Sequence, residues 1–140
     1  MAGIGSRLLR SGVAGAVVAA LLGGLGCGES GPRRSPVSGT VKFGGKPIPK
    51  GAIFFDPDLK KKNDGPAGFA YIKDGVYDTR DNGKGVIAGP HVVRIQGFDG
   101  RPGRELPMGS PMFPQYQTTA DLPGEATTRD FDVPASAKAK

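Results

Sequence analysis

The sequence holds a single cysteine, Cys27, and a single histidine, His91. A lone thiol cannot close an internal disulfide, and a zinc site needs three or four His, Cys or carboxylate ligands that are not gathered around His91. His91 therefore reads as a structural residue at a strand start. No window keeps helical spacing of apolar residues over three turns, which leaves no basis for a helical core. A concentrated basic face is missing too. The formal charge is +6, yet Arg7, Arg10, Arg33, Arg34, Lys138 and Lys140 lie towards the two ends, and Val37 to Pro134 holds 13 basic and 12 acidic residues. A near-neutral region without aromatics interleaved among cations excludes nucleic acid as a partner. Lys60-Lys61-Lys62 reads as a solvated loop tip.

What is present begins with an export pattern. Arg7 and Arg10 precede an uncharged stretch from Val13 to Leu25, which ends at Gly26-Cys27. As a helix this stretch would cover about 20 Å, at about 1.5 Å per residue. That falls short of the roughly 30 Å hydrocarbon layer. It reads as a signal peptide rather than a permanent span. The segment resembles the lipobox of bacterial lipoproteins, with Leu25 and Gly26 in the two positions before the cysteine and Gly24 where the family usually has Leu. The resemblance implies a diacylglycerol on Cys27, which becomes the mature N-terminus and anchors the chain to a membrane.

Glu29 to Pro36 has no apolar periodicity and reads as a tether. From Val37 the pattern changes to a period of two, with Val37, Val41 and Phe43 on one face and Ser38, Thr40 and Lys42 on the other. Further strands are predicted at Ala52 to Asp56, Ala67 to Lys73, Val76 to Thr79, His91 to Phe98 and Thr127 to Val133. Asp74-Gly75 between two of them favours a two-residue hairpin. Gly and Pro, 24 and 13 residues, fall between these runs as turn residues do. Strands at roughly ten-residue intervals predict an all-β sandwich. The resulting division is signal peptide 1–26, flexible tether 27–36, domain 37–134 and C-terminal tail 135–140. Phe54 or Phe55, Val93 and Phe131 are the expected core positions.

With the strands placed, Val37 to Phe98 resembles the carboxypeptidase regulatory-like domain. The matching residues are Ser38-Gly39-Thr40-Val41, the turn Gly45 to Ala52, the hairpin Lys73-Asp74-Gly75-Val76-Tyr77, and Ala88-Gly89-Pro90-His91-Val92-Val93-Arg94-Ile95. Together with the signal segment and Met112 to Tyr116, the chain is similar to small planctomycete-type bacterial lipoproteins. The resemblance implies a transthyretin-like (prealbumin-like) Greek-key β-sandwich that serves as a structural or interaction module. It carries over no catalytic residues.

The chemical inventory points the same way. The purine-pathway hydrolase built on the transthyretin-like fold relies on several histidines, and this chain has one. Ser38, Ser110 and Ser136 do not stand in nucleophile-elbow sequences. Asp56, Asp58 and Asp64, like Asp74, Asp78 and Asp81, lack calcium-loop spacing and read as turn caps. Asp81-Asn82-Gly83-Lys84-Gly85 is a turn. The expectation is a non-enzymatic protein without metal or cofactor, lipid-anchored and facing the periplasm or cell surface, binding an envelope protein or glycan. The alternative is an accessory or inhibitory subunit of an exported hydrolase. The long segment Gly100 to Glu125 has no clear periodicity, so Phe113 and Tyr116 within it are the candidate partner contacts. Two outcomes are open to them: sealing an end of the sandwich, or staying exposed as the contact patch.

Overall fold

The computed structural model describes Gly28 and residues 31–137. Among the described residues the fold is all-β, built from nine strands with two short 3₁₀ turns. In chain order the strands are β1 (Val37–Phe43), β2 (Lys46–Pro47), β3 (Lys50–Pro57), β4 (Gly68–Lys73), β5 (Val76–Asp78), β6 (Gly89–Phe98), β7 (Tyr116–Leu122), β8 (Thr127–Thr128) and β9 (Phe131–Val133). They form one curled sheet in the order β2-β1-β5-β4-β3-β6-β7, antiparallel along that path. The returning chain end, β8 and β9, lies parallel to β1.

Alternation places one face of each long strand inside. Val37, Val41 and Phe43 of β1, Ile53 and Phe55 of β3, Ala70 and Ile72 of β4, and Val93 and Ile95 of β6 are buried. Curling brings these inner faces together around three rings from distant strands. Phe55 lies 6.0 Å from Tyr77 and 6.2 Å from Phe131, and Tyr77 lies 6.3 Å from Phe131, between ring centroids. Tilted rings at such separations add attraction beyond the area they bury. Of the two candidates Phe54 and Phe55, Phe55 is the core residue and Phe54 points to the outer face.

The β4–β5 hairpin has the two-residue connection expected of Asp74-Gly75, with Lys73 paired to Val76 and positive φ at both turn residues (50° and 78°). Those angles are the ones a tight hairpin requires and that Asp and Gly tolerate. At Gly39 the requirement is space. A Cβ there would lie 2.0 Å from the Arg129 carbonyl oxygen, and that same oxygen accepts a hydrogen bond from the buried Tyr77 hydroxyl at 2.7 Å. Burial, with Asp130 nearby, pushes the Tyr77 phenol well above its ordinary value.

Two features differ from the sequence reading. The compact unit begins at Gly31, before the alternation at Val37. Ser35 pairs with Val86 through two backbone hydrogen bonds of 2.7 and 2.9 Å, while Arg34 donates to the carbonyls of Ala67 and Gly85 at 3.0 and 2.7 Å. The other is β7, which lies inside the segment read as aperiodic and pairs with β6 along its whole length. Its neighbour loop is also ordered. The Asp99 carboxylate accepts from the backbone N–H groups of Arg101 and Ser110 at 2.9 and 3.0 Å, closing the base of the loop.

Candidate functional site

Period-two alternation that buries one face of β3, β4 and β6 turns the other outward, and that outer face is unusually aromatic. Phe54 sits opposite Phe69 in the β3–β4 register and opposite Arg94 in the β3–β6 register. The Phe54 and Phe69 rings stack at 6.4 Å, and Phe69 meets Tyr71, two residues along the same face, edge-on at 5.8 Å and 85°. The Arg94 guanidinium lies over Phe54, 5.0 Å from the ring centre. Asp56 holds it there through a two-pronged ion pair in which Arg94 Nη2 donates to Asp56 Oδ1 at 3.1 Å. This pairing raises the Arg94 pKa above its ordinary value.

The row ends at Tyr71, whose side is open, with 55 % of the residue exposed. Its ring forms a wall of a cleft of about 580 Å³, within the size range of small-molecule sites. Lys50, Lys73, Asp78, Asp81 and Asn82 supply the polar lining, and Val76 and Met108 add apolar surface. Asp78 is tied down: Arg80 Nε and Nη2 donate to its two oxygens at 3.0 and 2.7 Å. These bonds hold its carboxyl below the usual carboxylate range, so it stands in the cleft as an anion. The Asn82 amide donates to Asp81 at 3.3 Å, and Asn82 itself has a φ of 54°, a turn conformation Asn accepts. The lining offers the exposed ring of Tyr71 with the buried Tyr77 behind it, two ammonium groups, two carboxylates and an amide. Groups of these kinds can stack on a flat ring or C–H face and can donate and accept hydrogen bonds.

The residues singled out from the sequence are scattered rather than assembled. Cys27 and the signal peptide 1–26 lie outside the described residues. Phe113 is inside, 5 % exposed, with its ring 4.8 Å from Phe43. Of the two outcomes open to this loop, Phe113 takes the inward one, because the surface above Gly97 leaves room for its ring. What remains visible of it borders a depression of about 280 Å³ shared with Phe98, Pro111 and Pro114. Tyr116 is half-buried at the start of β7 and packs against the core. Asp58 caps the first 3₁₀ turn by accepting from Lys60 N–H, and Asp78 does the same for Arg80 N–H. Among the described residues no three His, Cys, Asp or Glu side chains converge as a metal site. His91 is buried, and its Nδ1 lies 2.8 Å from the Gly89 carbonyl. Since a carbonyl only accepts, Nδ1 donates to it, and Nε2 has no hydrogen-bond partner among the described residues.

Tyr71 was missed by sequence reasoning, although a signal existed. In Gly68 to Lys73 both alternating sets contain apolar residues, Phe69 and Tyr71 against Ala70 and Ile72, so one set had to face water. Nothing local says which.

The fold and the cleft together define the class: an all-β module with an aromatic-walled, polar cleft on the outer face of its sheet. No protein-family model matches the chain, and no curated protein matches it. No helix among the described residues is long and apolar enough to cross a membrane.

Proposed function

We propose that this protein is an exported lipoprotein, held to a membrane through lipid on Cys27, whose transthyretin-like Greek-key sandwich acts as a non-catalytic interaction module of the cell envelope. The observation that carries the reading is the position of the only cysteine, immediately after the uncharged stretch Val13 to Leu25 and Gly26. A thiol in that place has no disulfide partner in the chain, and acylation gives it a use. The sandwich part is supported by connections that leave sequence neighbours apart: β6 lies beside β3 rather than β5, and the chain end returns beside β1. Greek-key sandwiches contain returns of this kind. The cleft at Tyr71 supplies a binding surface for such a module.

Each buried methylene of an attached acyl chain adds about 0.8 kcal/mol of membrane affinity, so two or three chains hold a protein firmly. Cys27→Ser is expected to move the full chain from the detergent-rich to the aqueous phase in a phase-partition experiment. Retention of that variant with the membrane fraction refutes the lipoprotein reading.

A further inference from the structure

We infer that the turn Leu59-Lys60-Lys61-Lys62 docks on anionic lipid headgroups and so sets which end of the domain faces the membrane; the inference rests on the reading of Cys27 as a lipid anchor. The turn lies in the connection from β3 to β4 and is held rigidly. Asp58 N–H and the Asn63 side-chain amide both donate to the Pro90 carbonyl, at 3.0 and 2.7 Å. Between them Asp58 Oδ1 accepts from Lys60 N–H at 3.1 Å, and the Asp58 carbonyl accepts from the N–H groups of Lys61 and Asn63 at 2.9 and 3.1 Å. Backbone groups satisfied within the chain can approach lipid without losing bonds to water. The fixed turn leaves Leu59 70 % exposed, the most exposed large apolar side chain among the described residues. Lys60, Lys61 and Lys62 follow it directly and are exposed as well. Apolar contact joined to cationic attraction is what holds peripheral segments on anionic bilayers.

The occupant follows from where the chain enters the domain. Arg34 donates to the carbonyls of Ala67 and Gly85, and Ser35 pairs with Val86, so the entering chain lies at the end of the sheet where β3 stops and β4 starts. The turn projects from that same end. Gly31, where the compact unit begins, stands four positions after Cys27, a reach of at most about 14 Å. A lipid on Cys27 therefore keeps this end close to the headgroups, while the β4–β5 hairpin lies one strand length further off, about 20 Å. The charge here has the sign that anionic lipid requires. On the chain entry and the connection, Arg33, Arg34, Lys60, Lys61 and Lys62 stand against Asp58, which is buried, and Asp64. Asp121 and Arg129, which border a depression with Lys61, offset each other. The ion pairs Arg80–Asp78 and Arg94–Asp56 are each neutral. Lys84 offsets one of Asp81 and Glu125, so this end keeps a net positive charge. An acidic protein would satisfy the same charge, but the bilayer is the surface the anchor already brings within reach.

The chain has no tryptophan, so Leu59→Trp places a single depth reporter at the turn. The acylated protein is reconstituted into vesicles of phosphatidylcholine with about 30 % phosphatidylglycerol, or of phosphatidylcholine alone, with bromine-labelled acyl chains as quencher. Val76→Trp, at a 56 % exposed position beside the β4–β5 hairpin, is the control for the opposite end. Emission of Leu59→Trp is expected to shift to the blue and to be quenched at least about threefold more in the anionic vesicles than in the neutral ones. Salt at about 1 M, where the Debye length is about 3 Å, should remove that difference. Val76→Trp should be quenched at least about threefold less than Leu59→Trp, being about 20 Å further from the entry end. Lys60→Gln, Lys61→Gln and Lys62→Gln together should lower the quenching of Leu59→Trp to the level seen with neutral lipid, and far-UV circular dichroism should be unchanged because all four side chains are exposed. The inference is overturned if Leu59→Trp is quenched no more than Val76→Trp, if neutral vesicles quench it as strongly, or if replacing the lysines changes nothing. A photocrosslinker at position 59 that captures a protein in cells, while the reporter stays unquenched by lipid, overturns it in favour of a protein partner. The anchor is read separately, by mass spectrometry of Cys27 and the partitioning of Cys27→Ser. An acylated chain with an unquenched reporter refutes the docking alone, and an unacylated Cys27 refutes the lipoprotein reading.

Discussion

Gly97→Ala in β6 tests how the long loop is seated on the domain. A Cβ at Gly97 would lie 2.6 and 2.7 Å from two carbons of the Phe113 ring and 3.1 Å from the Ile48 Cγ2 methyl. Carbon atoms do not approach so closely, so the ring must move, although it is buried and packed against Phe43 at 4.8 Å. Overpacking of this kind costs about 1–3 kcal/mol. Replacing glycine also restricts the unfolded chain, which returns about 0.4–1 kcal/mol where the native backbone suits alanine. The net expectation is a loss of about 1–2 kcal/mol. Phe113→Ala removes a ring that is almost wholly buried and should cost about 3–5 kcal/mol. In the double variant the new methyl enters the space the ring has left. Its steric cost disappears, and the two changes should sum to less than their separate effects by about 1–2 kcal/mol, a coupling typical of side chains in contact. Reversible urea unfolding followed by far-UV circular dichroism measures all four proteins. Additivity within about 0.5 kcal/mol would refute the placement of Phe113 over Gly97.

Two further outcomes are expected. Because burial raises the Tyr77 phenol above its ordinary value of 10.0, its contribution to stability is fully present below pH 10 and is lost as the pH rises through the folded-state value. Stability should fall in that window by up to about 1.4 kcal/mol per pH unit for this one proton; Tyr77→Phe should lack that component and cost about 0.5–1.5 kcal/mol at neutral pH from the lost bond to Arg129, so an unchanged alkaline profile contradicts the burial of the hydroxyl. Gly75→Ala should lose about 1–3 kcal/mol in urea unfolding, since the residue has a φ of 78° and its Cβ would lie 2.6 Å from Pro47 Cβ; a neutral result would mean that the hairpin turn relaxes freely.

The parts of the fold that were legible in the sequence are those decided by neighbours along the chain. Asp74-Gly75 determines its hairpin by the φ angles both residues tolerate, whatever the rest of the molecule does. The strands at Val37, Ala52 and His91 carry enough β-branched and aromatic residues in alternation to show as half-buried ladders. The strand β7 was illegible for a physical reason. Its inward residues include Thr118 and Ala120, too polar and too small to stand out, and the prolines before Tyr116 blur its start. Its partner β6 supplies the pairing that its own composition does not announce. The docking of Arg34 and Ser35 escaped for the same reason, since their partners Ala67, Gly85 and Val86 stand at least 33 residues away.

The cleft could not have been read from spacing either, because alternation divides a strand into two faces without naming the one that meets water. On β4 the more aromatic set, Phe69 and Tyr71, lies outside, and the smaller set, Ala70 and Ile72, lies inside. The decision is made across strands. Phe55 must face Tyr77 and Phe131, which puts Phe54 outside, and the register then sets Phe69 beside Phe54 on that outer surface. Exposed aromatic rows invite association between sheets, and two of these rings are shielded in ways that reduce the hazard. Arg94 covers Phe54, and Phe69 lies between Phe54 and Tyr71. The same shielding does not extend to Tyr71. Its ring opens on a cleft whose other walls carry Lys50, Lys73, Asp78, Asp81 and Asn82, so the exposed end of the row is bordered by charged and polar side chains, which oppose pairing with another apolar surface.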